Sequence, residues 1–141
     1  MKNKISQISV EYLIIFGILL ISLVVIVLYF IQTVPEEIKL KQANDAVNKI
    51  VKTIDTVYSI GPGARRIIYV NFPSGVDHVN ITSFPGKTGG EVSLKLTYRG
   101  NLIDIIAVTK ANITGEIPPG TIGYKLYIET TEDRFVNITS Q

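Results

Sequence analysis

Twenty uncharged residues, Tyr12 to Ile31, constrain this chain more than any other stretch, and sixteen of them are Leu, Ile, Val or Phe. As a helix rising about 1.5 Å per residue, the run spans about 30 Å, the thickness of a bilayer's hydrocarbon core. Summing about −0.3 to −0.6 kcal/mol per apolar residue gives about −5 to −10 kcal/mol towards insertion, an upper bound because end positions count less. The run predicts a helix held in lipid or in an equally dry place. A secretory signal has a shorter apolar region, roughly 7–15 residues, closed by small residues at the cut. This run ends instead in Phe30-Ile31-Gln32-Thr33-Val34-Pro35, so the helix is expected to be kept. Lys2 and Lys4 precede it, which leaves Met1 in the cytoplasm and carries the residues after Ile31 outside. An ordinary single-pass anchor would account for all of this.

Glu11 asks for more. A carboxylate at the edge of an apolar helix is disfavoured in lipid and needs a partner or a purpose. Residues 5–31 contain no Lys, Arg or His, so no side chain of that segment can pair with it. A cut between Ser6 and Gln7 would create an α-amine, with a reference pKa of about 7.7–8.0, one helical turn before Glu11. The amine of the same or a neighbouring helix would then be in reach. The alternative is that Glu11 complements the positive N-terminal end of the helix dipole at headgroup level.

Gln7-Ile8-Ser9-Val10-Glu11-Tyr12-Leu13, followed by the apolar run, resembles the class III signal peptide of euryarchaeal type IV pilin-like proteins. The resemblance covers the first 31 residues. It implies that a prepilin peptidase cuts between Ser6 and Gln7, so that Gln7 leads the mature chain and Glu11 becomes its fifth residue. It also implies that Gln7, Ser9 and Glu11 belong to the processing and assembly motif, with Glu11 neutralising a neighbouring subunit's amine. Ile15 stands where the family usually has Leu, and Ser6 where it usually has Gly or Ala.

About 110 residues remain outside the membrane run, enough for one small domain. Removing Lys2 and Lys4 brings the 14 basic residues down to 12, equal to the 12 acidic ones. A chain so balanced has no broad cationic surface, so no nucleic-acid partner is expected. The chain has no cysteine, which excludes disulfides and thiolate metal sites even in a domain expected outside the cell.

Thr33-Val34-Pro35-Glu36 has capping-box spacing, so either a second helix begins there or the first continues past Pro35 with a kink. Ala43, Val47, Ile50, Ile54 and Val57 follow at intervals of 4, 3, 4 and 3, one apolar stripe suited to lying on a sheet. Lys39, Lys41, Asp45, Lys49, Lys52 and Asp55 make the opposite face, expected to be solvated. Gly61-Pro62-Gly63 ends the helix.

From Arg65 the period becomes two. Ile68, Val70 and Phe72 alternate with Ile67, Tyr69 and Asn71, and after a Pro73-Ser74-Gly75 turn Val79 and Ile81 alternate with Asn80 and Thr82. A Pro85–Gly90 loop precedes the cleanest strand, Val92, Leu94, Leu96 and Tyr98 on one face. Arg99-Gly100-Asn101 turns into Leu102–Val108. A long loop with Pro118-Pro119-Gly120 then leads to Tyr124, Leu126 and Ile128, and a Phe135–Ile138 strand closes the chain. About six strands with mostly local turns predict an antiparallel sheet or small sandwich. The expected fold class is α+β: a leader over 1–6, an apolar helix over 7–31, an amphipathic helix over 32–60 packed on the head, and a β head over 64–141. This plan also resembles that of type IV pilin subunits.

Catalytic chemistry is scarce. Gly86-Lys87-Thr88 lacks the earlier glycine of a phosphate-binding loop, with Ile81 in that place, and a strand follows instead of a helix. His78 is the only histidine, which excludes a multi-histidine metal site and leaves no evident nucleophile–base pair. Gly61–Arg66 reads as a helix-to-strand loop, and Asp104 as a solvent-facing residue of an edge strand or a partnered buried carboxylate. No catalytic residue, cofactor or metal is expected. Asn80-Ile81-Thr82, Asn112-Ile113-Thr114 and Asn137-Ile138-Thr139 are glycosylation sequons. All three fall in the part expected outside, although Asn-Ile-Thr is also good edge-strand sequence.

The resemblance implies a subunit of an archaeal type IV pilus-like surface filament serving adhesion. Its partners would be copies of itself, the membrane before assembly, a prepilin peptidase, and a pilus assembly platform with its ATPase. A different class stands against it: a single-pass protein that never polymerises, whose β head binds a surface layer or a filament base.

Overall fold

The computed structural model describes residues 2–118 and 123–140, with side chains from Val10 onward except those of Gln32 and Thr33. Pro119 and Gly120, expected in a loop, lie outside the described residues. The chain is α+β: one long N-terminal helix, α1 (Lys2–Ile60), followed by seven strands. Helical residues continue through Thr33 and Pro35, so no second helix starts at the capping-box sequence. Pro35 has no N–H to offer the Ile31 carbonyl, which removes one rung of the helical ladder. The residues up to Glu37 and those from Ile38 onward are separate compact units.

Within the second unit, α1 buries the stripe its spacing predicted. Ala43, Ile50 and Ile54 are fully buried, and Val47 and Val57 nearly so. The helix stops where glycine stops it: the Gly61 N–H closes on the Val57 carbonyl at 3.3 Å, and Gly61 takes a φ of 107°, which L side chains avoid.

The strands are β1 (Arg65–Val70), β2 (Val76–Ser83), β3 (Gly90–Tyr98), β4 (Asn101–Thr109), β5 (Asn112–Gly115), β6 (Tyr124–Thr130) and β7 (Phe135–Ser140). They form a four-stranded sheet in the order β1-β6-β7-β5 and a three-stranded sheet in the order β2-β3-β4. The expected head of about six strands, an antiparallel sheet or small sandwich, differs from the structure in two details. β5 lies inside the stretch read as a loop, and it pairs with β7 in parallel. Four residues, Asn-Ile-Thr-Gly, are too few to display a period, and their pairing partner lies more than twenty residues away. Gly115 is required there: at φ 135°, a Cβ on it would stand 2.1 Å from the Ile138 carbonyl oxygen.

The two sheets meet at β2 and β5. The Ser83 hydroxyl donates to the Ile113 carbonyl at 2.6 Å and accepts from the Ile113 N–H at 2.8 Å. Gly90, the first residue of β3, is packed so closely that an added Cβ would lie 2.6 Å from Ile113 Cγ1. The inner faces of both sheets and the α1 stripe form one core, in which Leu94, Leu96, Leu126, Ile128 and Ile138 are fully buried.

Candidate functional site

Among the described residues, α1 is the one helix long and apolar enough to cross a membrane, and its most apolar window has no buried share. From Val10 to Ile31 every large apolar side chain is exposed, from 45% at Val27 to 73% at Leu13. These residues cover the whole circumference of the helix rather than one stripe. A helix apolar all round requires cover from lipid or from other helices. Glu11 stands exposed at the start of this surface. Ser6, Gln7 and Ser9 belong to the helical backbone of α1, and their side chains lie outside the described residues. The Ser22 hydroxyl returns to its own helix, donating to the Ile18 carbonyl at 2.9 Å, so it adds no free polar group to the apolar surface.

The three sequon asparagines differ in their surroundings. Asn80 is exposed on β2, with Thr82 exposed beside it. Asn112 is half-buried, and its Oδ1 accepts the Gly89 N–H at 2.9 Å, which ties the start of β5 to the loop before β3. Asn137 is half-buried in β7, opposite Glu129 on β6 and Thr114 on β5. The sequence reading treated the three alike; the structure leaves one of them fully presented.

Other singled-out residues are placed as follows. His78 is exposed on β2, and Asp104 is exposed on the edge strand β4, so it is not a buried carboxylate. Among the described residues no three of His, Cys, Asp and Glu gather as a metal site. The polar face of α1 is not merely solvated, as the sequence had suggested. Asp55 is half-buried and accepts from the Thr109 hydroxyl at 2.6 Å and the Lys110 N–H at 3.1 Å. Lys49 donates to the Tyr69 carbonyl at 2.6 Å. Both contacts join residues far apart in the chain, and periodicity carries no signal for them.

Sequence reasoning also passed over the outer face of β1 and β6, where Ile67 and Tyr69 are exposed and Lys125 Nζ lies 5.1 Å above the Tyr127 ring. A side-chain hydrogen bond to Tyr127, then the charge of that phenol, raises the Lys125 pKa above its ordinary 10.5. Alternation at Ile67 and Tyr69 against Lys125 and Tyr127 was the available signal, but it does not say which residues face each other. The register supplies that: Tyr69 stands opposite Lys125, and Ile67 opposite Tyr127.

Comparison with family models, with curated proteins and with solved structures returned no match.

Proposed function

We propose that this chain is a structural subunit of an archaeal type IV pilus-like surface filament, with adhesion as its role. The observation that carries the reading is the apolar surface from Val10 to Ile31, exposed on every side with Glu11 at its edge. A plain anchor needs the apolar surface but gives Glu11 no counter-charge. In a bundle of processed copies, the amine of Gln7 supplies one.

The mechanism follows from that pairing. Before assembly lipid covers the helix; in the filament, neighbouring helices do. A separate peptidase cuts between Ser6 and Gln7, and a separate platform with its ATPase moves the subunit out of the bilayer. Each Glu11 then meets an N-terminal amine in a dry core, where losing one partner of a buried pair costs about 3–5 kcal/mol. The β head faces outward, and Asn80 is the sequon best presented for a glycan.

The test has two arms. Surface protein should begin at Gln7 by intact mass. Glu11→Ala should reach the membrane in normal amount, since removing the charge does not oppose insertion, yet give cells without filaments. Retained residues Met1–Ser6, or normal filaments from Glu11→Ala, would refute the pairing mechanism. A wild-type protein that never forms filaments would favour the anchored binding module.

A further inference from the structure

The sheet edges of the head are guarded unequally. An edge strand offers unpaired backbone groups to any strand that can dock, and proteins usually blunt such edges with short length, bulges, charge or cover. β1 is six residues long and opens with exposed Arg65 and Arg66. β5 has four residues, and it meets β2 through Ser83. β2 carries a register shift between Val76 and His78 and a bridge from Val79 to Ile117. β4 has only one of these devices, the exposed charge of Asp104, which stands opposite Lys95 of β3. The strand is nine residues long without proline, and its register with β3 is unbroken from Gly90↔Thr109 to Tyr98↔Asn101.

The outward residues of β4 and the position after it read Leu102, Asp104, Ile106, Val108 and Lys110, all exposed, the three apolar ones by 56–61%. Lys110 follows the last residue of β4 in a bend, with its backbone N–H donating to Asp55 at 3.1 Å and its side chain exposed. We propose that β4 pairs antiparallel with β4 of a second copy, about a two-fold axis at Ala107.

Charge complementarity selects both the occupant and the register. Antiparallel pairing keeps outward residues opposite outward residues, so only registers that match even-numbered positions are open. Among them, centring on Asp104 sets two carboxylates face to face, and centring on Ile105 or Ile106 sets Asp104 against Ile106 or Val108. Centring on Ala107 sets Asp104 opposite the second copy's Lys110 twice, with Ile106 opposite Val108 twice between them. Opposite charges and apolar pairs directly across a strand are the favourable combinations.

A two-fold contact of this kind has the same patch on both sides. A polar filament with one subunit orientation contains no such axis, so this contact joins subunits of different filaments or unpolymerised subunits. It rests on the fold of the head and stands or falls separately from polymerisation.

The chain has no cysteine, so Ala107→Cys gives a single reporter. Directly opposed residues in an antiparallel pair lie about 4.5–5.5 Å apart at Cα, inside the usual disulfide range of about 4.4–6.8 Å. Full-length Ala107→Cys in detergent, mildly oxidised, should give a covalent dimer on a denaturing gel. Adding Asp104→Lys, or adding Lys110→Asp, should reduce that dimer at least tenfold. Mixing those two variants should restore it, because one copy then presents two lysines and the other two aspartates. The mixture also controls for folding, since neither variant could recover if misfolded. Dimer formation undiminished in both charge variants, no dimer from Ala107→Cys itself, or a mixture that stays monomeric would each overturn the proposal.

Discussion

Ile14 and Ile21 are 55% and 66% exposed, while Ile50 and Ile54 on the same helix are fully buried. Residue type does not separate them; the arrangement of neighbours does. Around Ile14 and Ile21 no polar face exists, so no single sheet could cover that half of α1. Around Ile50 and Ile54 the apolar residues are confined to one stripe, which two sheet faces fill. One half of the helix therefore finds its partners inside the chain, and the other half finds none there.

The comparison breaks most directly with paired truncations. Ile54→Ala empties a closed site and should destabilise the head by about 2–5 kcal/mol. Ile21→Ala, with no packed surroundings within the chain, should alter head stability by less than about 0.5 kcal/mol. Denaturant unfolding of full-length protein in detergent, followed by tyrosine fluorescence, would measure both. Comparable losses would mean that the apolar half is sheltered by its own chain and needs no external cover.

What could be read in advance follows the same division. The stripe from Ala43 to Val57 and the alternation from Val92 to Leu96 are local patterns, and both mark buried positions correctly. The exposed character of Tyr12 to Ile31 was also legible, because a run without polar residues has no face to turn to water. Pairing was not legible. β1 lies against β6, some sixty residues later in the chain, and β5 runs parallel to β7; neither neighbour is announced by composition. Asp55 and Lys49 looked like members of a wet face because their partners, Thr109 with Lys110 and the Tyr69 carbonyl, come from strands distant in sequence. At the N-terminal end, Glu11 and Gln7 were singled out by the missing counter-charge and by resemblance, while geometry adds the exposure of Glu11 alone.

Asp55 sharpens the comparison on the polar side of the head's helix. Asp55→Ala removes the acceptor for the Thr109 hydroxyl and the Lys110 N–H, and leaving such donors unpaired should cost about 1–3 kcal/mol. Asp55→Asn keeps an oxygen in place and should recover part of the loss. Asp45, exposed on the same helix, should tolerate alanine within about 0.5 kcal/mol. The same unfolding experiment ranks all three, and equal stabilities for the Asp55→Ala and Asp45→Ala proteins would return Asp55 to the solvated face.

The sequons repeat the contrast on a smaller scale, between a side chain already engaged and one turned to solvent. Asn112 Oδ1 accepts the Gly89 N–H, and a net hydrogen bond of this sort contributes about 0.5–1.5 kcal/mol. Asn112→Ala should cost that much, whereas Asn80→Ala should change stability by less than about 0.5 kcal/mol. Asn112→Asp retains an acceptor oxygen and should sit between alanine and the parent chain. Modification should run in the opposite order. A glycan on Asn112 must share or displace the amide that holds Gly89, while one on Asn80 meets only solvent on an exposed strand face. Glycopeptide mass analysis of protein from its native cells should therefore find Asn80 the most occupied, Asn137 less so and Asn112 least. Occupancy concentrated at Asn112, with Asn80 bare, would mean that the Gly89 contact does not form until after modification, and would remove the structural basis for ranking the three.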